Sequence, residues 1–334
     1  MLFGNFLVPC LKFSGESAGL NLVYAHGKYG EQKRQTQSIG AMMPELRDLE
    51  LLVSLSRHKN FSHAAADCNI SQPAFSTRIR KLEEGFKLPL VRRGNSFLGF
   101  TREGEVALKW ARKLLADAEG MRQEINALRN NLDGKLTLGV IPTAMPFAAR
   151  VSSQLRRKHP NLSIEIHSQS NRQITRRLND FSLDAGIMYF DDADPDTTVK
   201  LYEERYVLIA PQTLASGYEN QVTWAEAARF PLCLLTPDMR NRQLIDAVFE
   251  QVTAMPTVVM EASGFTAVLA QVASGNAATI APVSVAETFL ALSLTVQFDL
   301  VEPVMTHPIG LSIKDQSPVL PVVQALRQAI DASL

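Results

Sequence analysis

Apolar residues first recur at helical spacing near position 46. Leu46, Leu49, Leu52, Val53 and Leu55 fall on one face and predict an amphipathic helix ending before Lys59-Asn60. Ser62 is placed to cap a short second helix, HAAADC, whose small side chains allow close packing. Asn69 and Ile70 make the turn, and Ser71 caps a third helix. Gln72 and Pro73 occupy its first turn, where the missing proline N–H costs nothing. On a wheel of that helix, QPAFSTRIRKLEE, residues Phe75, Ile79 and Leu82 share the core side. Pro73, Ser76, Thr77, Arg80 and Lys81 lie on or beside the other face, with Gln72 at the N-terminal tip.

The stretch LPLVRRGNSFLGFT then predicts a short hairpin with Arg92, Arg93 and Asn95 near its tip. Thr101 caps a long helix, and Glu103 and Glu105 in its first turn favour the helix dipole. Along it Ala107, Trp110, Leu114, Ala118, Met121, Ile125, Leu128 and Leu132 follow steps of 3, 4, 4, 3, 4, 3 and 4. Such a seam favours helix–helix pairing. Asp133-Gly134 stops it, giving about 31 residues and roughly 46 Å. From Lys135 the pattern changes to strands (LTLGVI, LSIEIH, LDAGIM, YVLIA, PLCLL, TVVME, AATIA) alternating with helical stretches. That alternation predicts an α/β body with largely parallel sheets.

Residues 1–42 show no sustained periodicity and include the polar run GKYGEQKRQTQSIG. They are expected to be a disordered extension, or the product of an upstream start codon, with Met42 or Met43 the natural beginning. The opening MLFGNFLVPCL lacks a basic n-region, which disfavours a secretory signal. Ala262–Ala286 carries no charge, yet Gly264, Gln271, Gly275, Asn276 and Pro282 break it into helix, turn and strand. A membrane span is therefore not expected.

Over the whole chain 34 basic groups balance 34 acidic ones. The balance hides a gradient of +2 over residues 1–42, +3 over 43–133 and −5 over 134–334. Residues 71–102 hold seven basic side chains against Glu83 and Glu84, the one local excess suited to a polyanion. Small polar residues over a basic flank suit a major-groove helix. Short side chains let the backbone approach the bases, Arg and Lys reach phosphates, and Gln can pair bidentately with adenine. Cys10, Cys68 and Cys233 are too few and too widely spaced for a disulfide framework or a CxxC metal site, which suits a reducing, cytoplasmic setting. No GxGxxG, GxxxxGK[ST] or HExxH motif occurs, and the six histidines are scattered, so an enzyme is not expected. The acidic run DDADPDTT (191–198) reads as a solvated linker rather than a metal site. No metal and no cofactor are called for.

The run FSHAAADCNISQPAFSTRIRKLEEGFKLPLVRRGNSFLGFTREGE resembles the winged helix-turn-helix of LysR-type transcriptional regulators. The SQPAFS core, the LPL step and the FTREG turn stand in that family's order and spacing. The likeness is dense from Leu46 to Gly134 and continues more weakly to the C-terminus. It implies an all-α winged unit over 43–101, a dimerisation helix over 102–133, and a two-lobed, periplasmic-binding-protein-like sensor over 134–334. Lobe one is placed at 134–203 plus 308–334, and lobe two at 204–307. DNA contacts are expected from Gln72, Pro73, Ser76, Thr77, Arg78, Arg80, Arg92, Arg93 and Asn95. Two departures stand out: Thr77 occupies a position where many members have Arg, and Cys68 replaces a usual Leu.

In open α/β sheets ligands bind beyond the strand C-termini, where helix N-termini offer free N–H groups. That rule selects Thr143, Ser168, Thr236 and Ser263, with Arg240 as a carboxylate clamp, for a small organic anion. Trp110, Leu114, Met121, Ile125 and Leu128 are expected to join two copies, with sensor contacts extending the dimer to a tetramer. The expected partners are double-stranded DNA, the effector, further copies of the chain and, for an activator, RNA polymerase. A redox-responsive regulator is the alternative. Only Cys233 lies in the sensor, however, inside an apolar strand where an inert thiol is expected.

Overall fold

The computed structural model describes residues 43–94, 96–128, 132–190, 198–290, 295–314 and 318–333. Residues 1–42, Asn95 and the 191–197 run lie outside these described residues.

The chain first builds a three-helix unit from α1 (Leu46–His58), α2 (Phe61–Asp67) and α3 (Gln72–Phe86). Asn60, rather than Ser62, caps α2: its side-chain oxygen accepts from the Ser62 and His63 backbone N–H groups at 2.8 and 3.1 Å. Asn69 turns the chain in the left-handed region at φ 55°, and Ser71 caps α3 through the Ala74 N–H. Phe75, Ile79 and Leu82 are buried as their spacing predicts, against Leu51, Leu52 and Leu55 of α1. Leu46, expected in that stripe, is half exposed, and Leu51 takes its share of the core. A hairpin of β1 (Val91–Arg93) and β2 (Phe97–Phe100) follows, and its base packs on this core through Val91 and Phe100.

Thr101 caps α4 (Arg102–Ala127), accepting from the Gly104 N–H at 2.9 Å. The helix has 26 residues rather than about 31. Gly104, Leu108 and Ala111 pack inward on the winged unit, whereas Leu132 lies in the core of the C-terminal body and not on the seam.

The body contains two α/β lobes. β3 (Gly134–Val140) is flanked in parallel by β4 (Leu162–Ser168) and β5 (Ala185–Tyr189), with α5 (Met145–Lys158) and α6 (Asn171–Asn179) packed on the sheet. β6 (Thr198–Pro211) is the first long strand to leave this lobe. The second lobe holds β7 (Gln221–Thr223), α7 (Trp224–Ala227), β8 (Pro231–Leu235), α8 (Arg240–Gln251), β9 (Thr257–Ala262) and α9 (Phe265–Ala273). β10 (Thr279–Pro282), α10 (Val283–Leu290) and β11 (Thr295–Val301) complete it, and β12 (Thr306–Ile313) and α11 (Pro321–Asp331) return to lobe one.

The long sheet runs β4-β3-β5-β12-β6-β11-β7. It is mixed rather than largely parallel, because β12 is antiparallel to both β5 and β6, and β6 is antiparallel to β10 and β11. The chain must cross between lobes and come back, and a returning strand beside an outgoing one is antiparallel by construction. The crossover falls where Arg205 still pairs with Thr306 of β12 while Tyr206 already pairs with Pro282 of β10. Each lobe buries its own core, lobe one around Leu136, Leu138 and Ile187, lobe two around Leu208, Trp224 and Phe249.

The closest fit between wing and long helix is at Gly104, where an added Cβ would lie 1.9 Å from the Leu90 carbonyl oxygen. Backbone cannot yield as a flexible side chain does, so Gly104→Ala must push α4 off the wing. A loss of about 1–3 kcal/mol is expected in urea unfolding of the winged unit; an unchanged midpoint would show that the two elements slide freely.

Candidate nucleic-acid interface and ligand cleft

The outer face of α3 is polar and short-chained. Gln72, Pro73 and Thr77 are exposed and Ser76 is half-buried. The Gln72 Nε2 donates to Ser76 Oγ at 2.9 Å, one turn along, which pre-orients the amide at the helix tip. Arg80 and Lys81 are exposed and join no ion pair among the described residues. Arg78 is different. Its Nε donates to Asp48 at 2.7 Å and its Nη2 to Glu45 at 2.8 Å, which raises the affinity of the guanidinium for its proton. Arg78 thus braces α3 against α1.

The hairpin divides its arginines in the same way. Arg93 donates to Glu83 Oε2 at 2.6 Å and lies 5.8 Å from the Phe61 ring centroid. The other Glu83 oxygen accepts from the Leu90 and Val91 N–H groups at 2.9 and 3.0 Å. Glu83 and Arg93 therefore pin the hairpin to α3. Arg92 is exposed without an ion pair among the described residues and lies along Gly99, whose φ of +120° and missing Cβ leave it room. Asn95 lies outside the described residues.

On α4 the expected seam faces outward. Trp110, Leu114, Met121, Ile125 and Leu128 are between 42% and 84% exposed in the single chain. Trp110 and Leu114 line, with Leu88, Phe86 and Val106, an open apolar groove of about 620 Å³. Large apolar side chains exposed in so close a row are uncommon on the surface of a single chain.

Between the lobes, Thr143 and Arg240 come together. Thr143 sits fully buried in the helical turn after β3, and exposed Arg240 opens α8. Ser170, Asn171, Tyr189 and Asn241 share with Ile141, Pro142, Leu235 and Met239 the lining of a cavity of about 10 Å³, room for a single water. The two lobes meet there with no space for a larger ligand. Ser168, Thr236 and Ser263 are not part of this lining. Counting from strand ends misplaced them. β4 ends two residues before Ser170, the true cap of α6, and Thr236 is engaged with Ala262 through its backbone.

Glu204, Tyr206 and His307 went unpredicted. Glu204 on β6 is 2% exposed, and its Oε2 accepts from Tyr189 and Tyr206 at 3.2 and 3.4 Å. The two phenols are 2.9 Å apart. Burial pushes the Glu204 carboxyl up to about 7 and raises both phenols further above their ordinary range. The Glu204 Oε1, the Thr143 hydroxyl and both amide atoms of Asn241 are buried without an aligned hydrogen bond. His307 presses edge-on against both tyrosine rings. The signal was in the chain: alternation along YEERYVLIA puts Glu204 and Tyr206 on the inward side. A charged residue on the inward side of a strand marks such a site.

Cys233 is fully buried, its thiol pushed up by desolvation, and Cys68 is buried in the winged unit. Among the described residues no cluster of His, Cys, Asp or Glu could hold a metal, and no helix is long and apolar enough to cross a membrane.

A winged helix-turn-helix with unpaired cations, a long helix with an outward apolar seam and a two-lobed body closing on a polar cleft define a ligand-responsive DNA-binding regulator. The model of the bacterial regulatory helix-turn-helix protein, lysR family, matches residues 46–105, and that of the LysR substrate binding domain matches residues 129–334. The chain belongs to the LysR-type family of transcriptional regulators, with an effector-binding domain. It is 25% identical over 291 residues to the DNA-binding transcriptional dual regulator OxyR of Escherichia coli K12, covering 86% of this chain and 95% of that one. Among solved structures, a full-length single-residue variant of OxyR from Pseudomonas aeruginosa superposes with a TM-score of 0.68 at 24% identity, over 86% of this chain and 95% of its own. CbnR complexed with its target DNA gives 0.64 at 19% identity, over 87% and 100%, and shares the fold.

The two arginine classes separate by experiment. Arg78→Ala should cost about 1 kcal/mol of stability, the charged hydrogen bonds being discounted for solvent screening. Arg80→Ala should leave stability within about 0.5 kcal/mol while weakening DNA binding. Thermal unfolding and filter binding of both variants check this; equal stability loss in the two would erase the distinction.

Proposed function

We propose that residues 43–101 read operator DNA through the tip and outer face of α3, with Gln72, Pro73, Ser76 and Thr77 at the bases and Arg80 and Arg92 on phosphates. The supporting observation is the contrast within one small unit: Arg78 and Arg93 are consumed by internal carboxylates, while Arg80, Lys81 and Arg92 are left free beside a short-chained polar face. Arg78 and Arg93, expected at the DNA from sequence, are assigned to the scaffold. Residues 102–133 pair two copies through Trp110, Leu114, Met121, Ile125 and Leu128, and sensor contacts extend the dimer to a tetramer. Residues 134–334 sense a small organic anion held by Thr143, Arg240 and Asn241 between lobe one and lobe two, whose boundary, expected at 203/204 and 307/308, is drawn at 205/206 and 305/306 by the strand pairing. The protein acts in the cytoplasm, and where it activates, RNA polymerase is its further partner.

Several relatives carry the name hydrogen peroxide-inducible genes activator, at 25–29% identity, which favours a thiol switch as the second reading. The cysteines here oppose it. Residues 134–334 hold Cys233 alone, so no disulfide can form within the sensor, and that thiol is buried, protonated and out of reach of an oxidant.

Gln72→Ala should weaken binding to specific operator by about 1–3 kcal/mol and relax one base position, with random-sequence DNA unaffected. Gel shifts on both DNAs check it, and equal losses would remove Gln72 from base reading. For the cleft, a screen of small carboxylates should find compounds that raise the melting temperature of wild type but not of Arg240→Ala, because a ligand stabilises only the state it binds. Carboxylates that stabilise both proteins alike bind elsewhere.

A further inference from the structure

We propose that Glu204 couples closure of the cleft to a proton: the lobes close on a protonated carboxyl and reopen when it ionises. The proposal rests on the reading of this cleft as the effector site and adds its regulation. Glu204 stands opposite His307 in the β6–β12 register, one residue before the chain passes from one lobe to the other. Groups from five elements face it or its immediate neighbours. Tyr189 comes from β5, Tyr202 and Tyr206 from β6 itself, His307 from β12, Asn241 and Arg240 from α8, and Thr143 from the turn after β3. Arg150 of α5 acts on Tyr202, and Arg240 and Glu203 act on His307. Among the described residues no cation forms an ion pair with Glu204; its Oε2 accepts from the two phenols, and the Thr143 hydroxyl acts on the same carboxyl.

An ionised carboxylate sealed in this way is buried among neutral hydroxyls with no cation paired to it, which is strongly disfavoured. Opening the cleft returns the charge to water, and protonation removes it without opening. The carboxyl answers to both lobes, because Tyr189 and Thr143 belong to the first and Tyr206 begins the second.

The sign follows from linkage. The carboxyl lies at about 7 when the cleft is closed, against 4.5 for an ordinary glutamate, the value approached once open. Protonation therefore supports closure fully below about 4.5, loses hold as pH rises toward 7, and contributes nothing above it. Between pH 5.5 and 8 the closed-to-open ratio should fall about thirtyfold. His307, held below 6.5 mainly by burial, stays neutral over most of that range.

The test is hydrogen exchange on the full-length protein from pH 5.5 to 8, corrected for intrinsic exchange, following residues 141–147 and 235–241. Wild type should lose about thirtyfold of protection in both segments. Glu204→Gln, neutral at every pH, should hold its protection, and His307→Gln should keep the wild-type response. The infrared carbonyl stretch of a protonated carboxylic acid provides a check on wild type alone, and should titrate near pH 7. An unchanging wild-type profile, the same pH response in Glu204→Gln, or no such infrared band overturns the proposal. Repeating the exchange with millimolar succinate and benzoate separates it from the effector reading. If neither protects the cleft at any pH but the Glu204-dependent response persists, the anion reading fails and the coupling stands. If they protect equally at pH 5.5 and 8, the reading stands and the coupling fails.

Discussion

The backbone ladder between β6 and β12 is the constraint on which the C-terminal body depends. β6 gives its first half to lobe one and its second to lobe two, and β12 accompanies it only as far as Thr306. Each lobe keeps its own buried core, and the ladder is the backbone connection between them. Any side chain planted at that point feels every closure. Glu204 and His307 occupy it from the two strands, and Tyr189 and Tyr206 close over them. The crossing point between the lobes is therefore built from these few residues, and Tyr189 links it to the lining of the cleft.

The winged unit obeys a different economy. Its core is small, and ion pairs supplement it where apolar contacts end. Arg78 ties α3 to α1, Glu83 and Arg93 tie the hairpin to α3, and Asp67 accepts from Ser54 across α1 and α2. Arg78 and Arg93 are thereby engaged inside the unit, whereas Arg80, Lys81 and Arg92 join no ion pair among the described residues. α4 carries the unit to the body: Leu108 and Ala111 belong to the winged core, while Arg112 reaches Asp180 at 2.9 Å.

Much of this was legible in the chain. Helical spacing located α1, α3 and α4, and Phe75, Ile79 and Leu82 are buried as their period requires. The strands of the first lobe were readable because each is a short apolar run bounded by turn residues. β11 and β12 were missed, and with them the mixed character of the sheet, since VQFDLV and HPIGLSI lack the neat flanking turns of the earlier strands. Site residues were legible where a local rule sufficed. The exposure of Gln72 on α3 follows from a helical wheel, and the meeting of Thr143 and Arg240 from strand ends. Ser170 escaped because the loop after β4 is longer than the rule assumes. Glu204 escaped because its meaning comes from a partner more than a hundred residues away, His307. Arg78 and Arg93 show the converse: their charge was evident, and only packing reveals that neighbouring carboxylates absorb it.

The most direct test of a dimeric, base-reading regulator is selection from random DNA. The full-length protein is incubated with a library of random-sequence duplexes, and the bound fraction is sequenced after several rounds. Two copies joined along α4 should enrich a two-fold symmetric motif whose half-sites lie about one helical turn, or a multiple of it, apart. A bound pool with no motif, or with a single half-site and no symmetry, would contradict the assignment of α3 to base reading or of α4 to pairing.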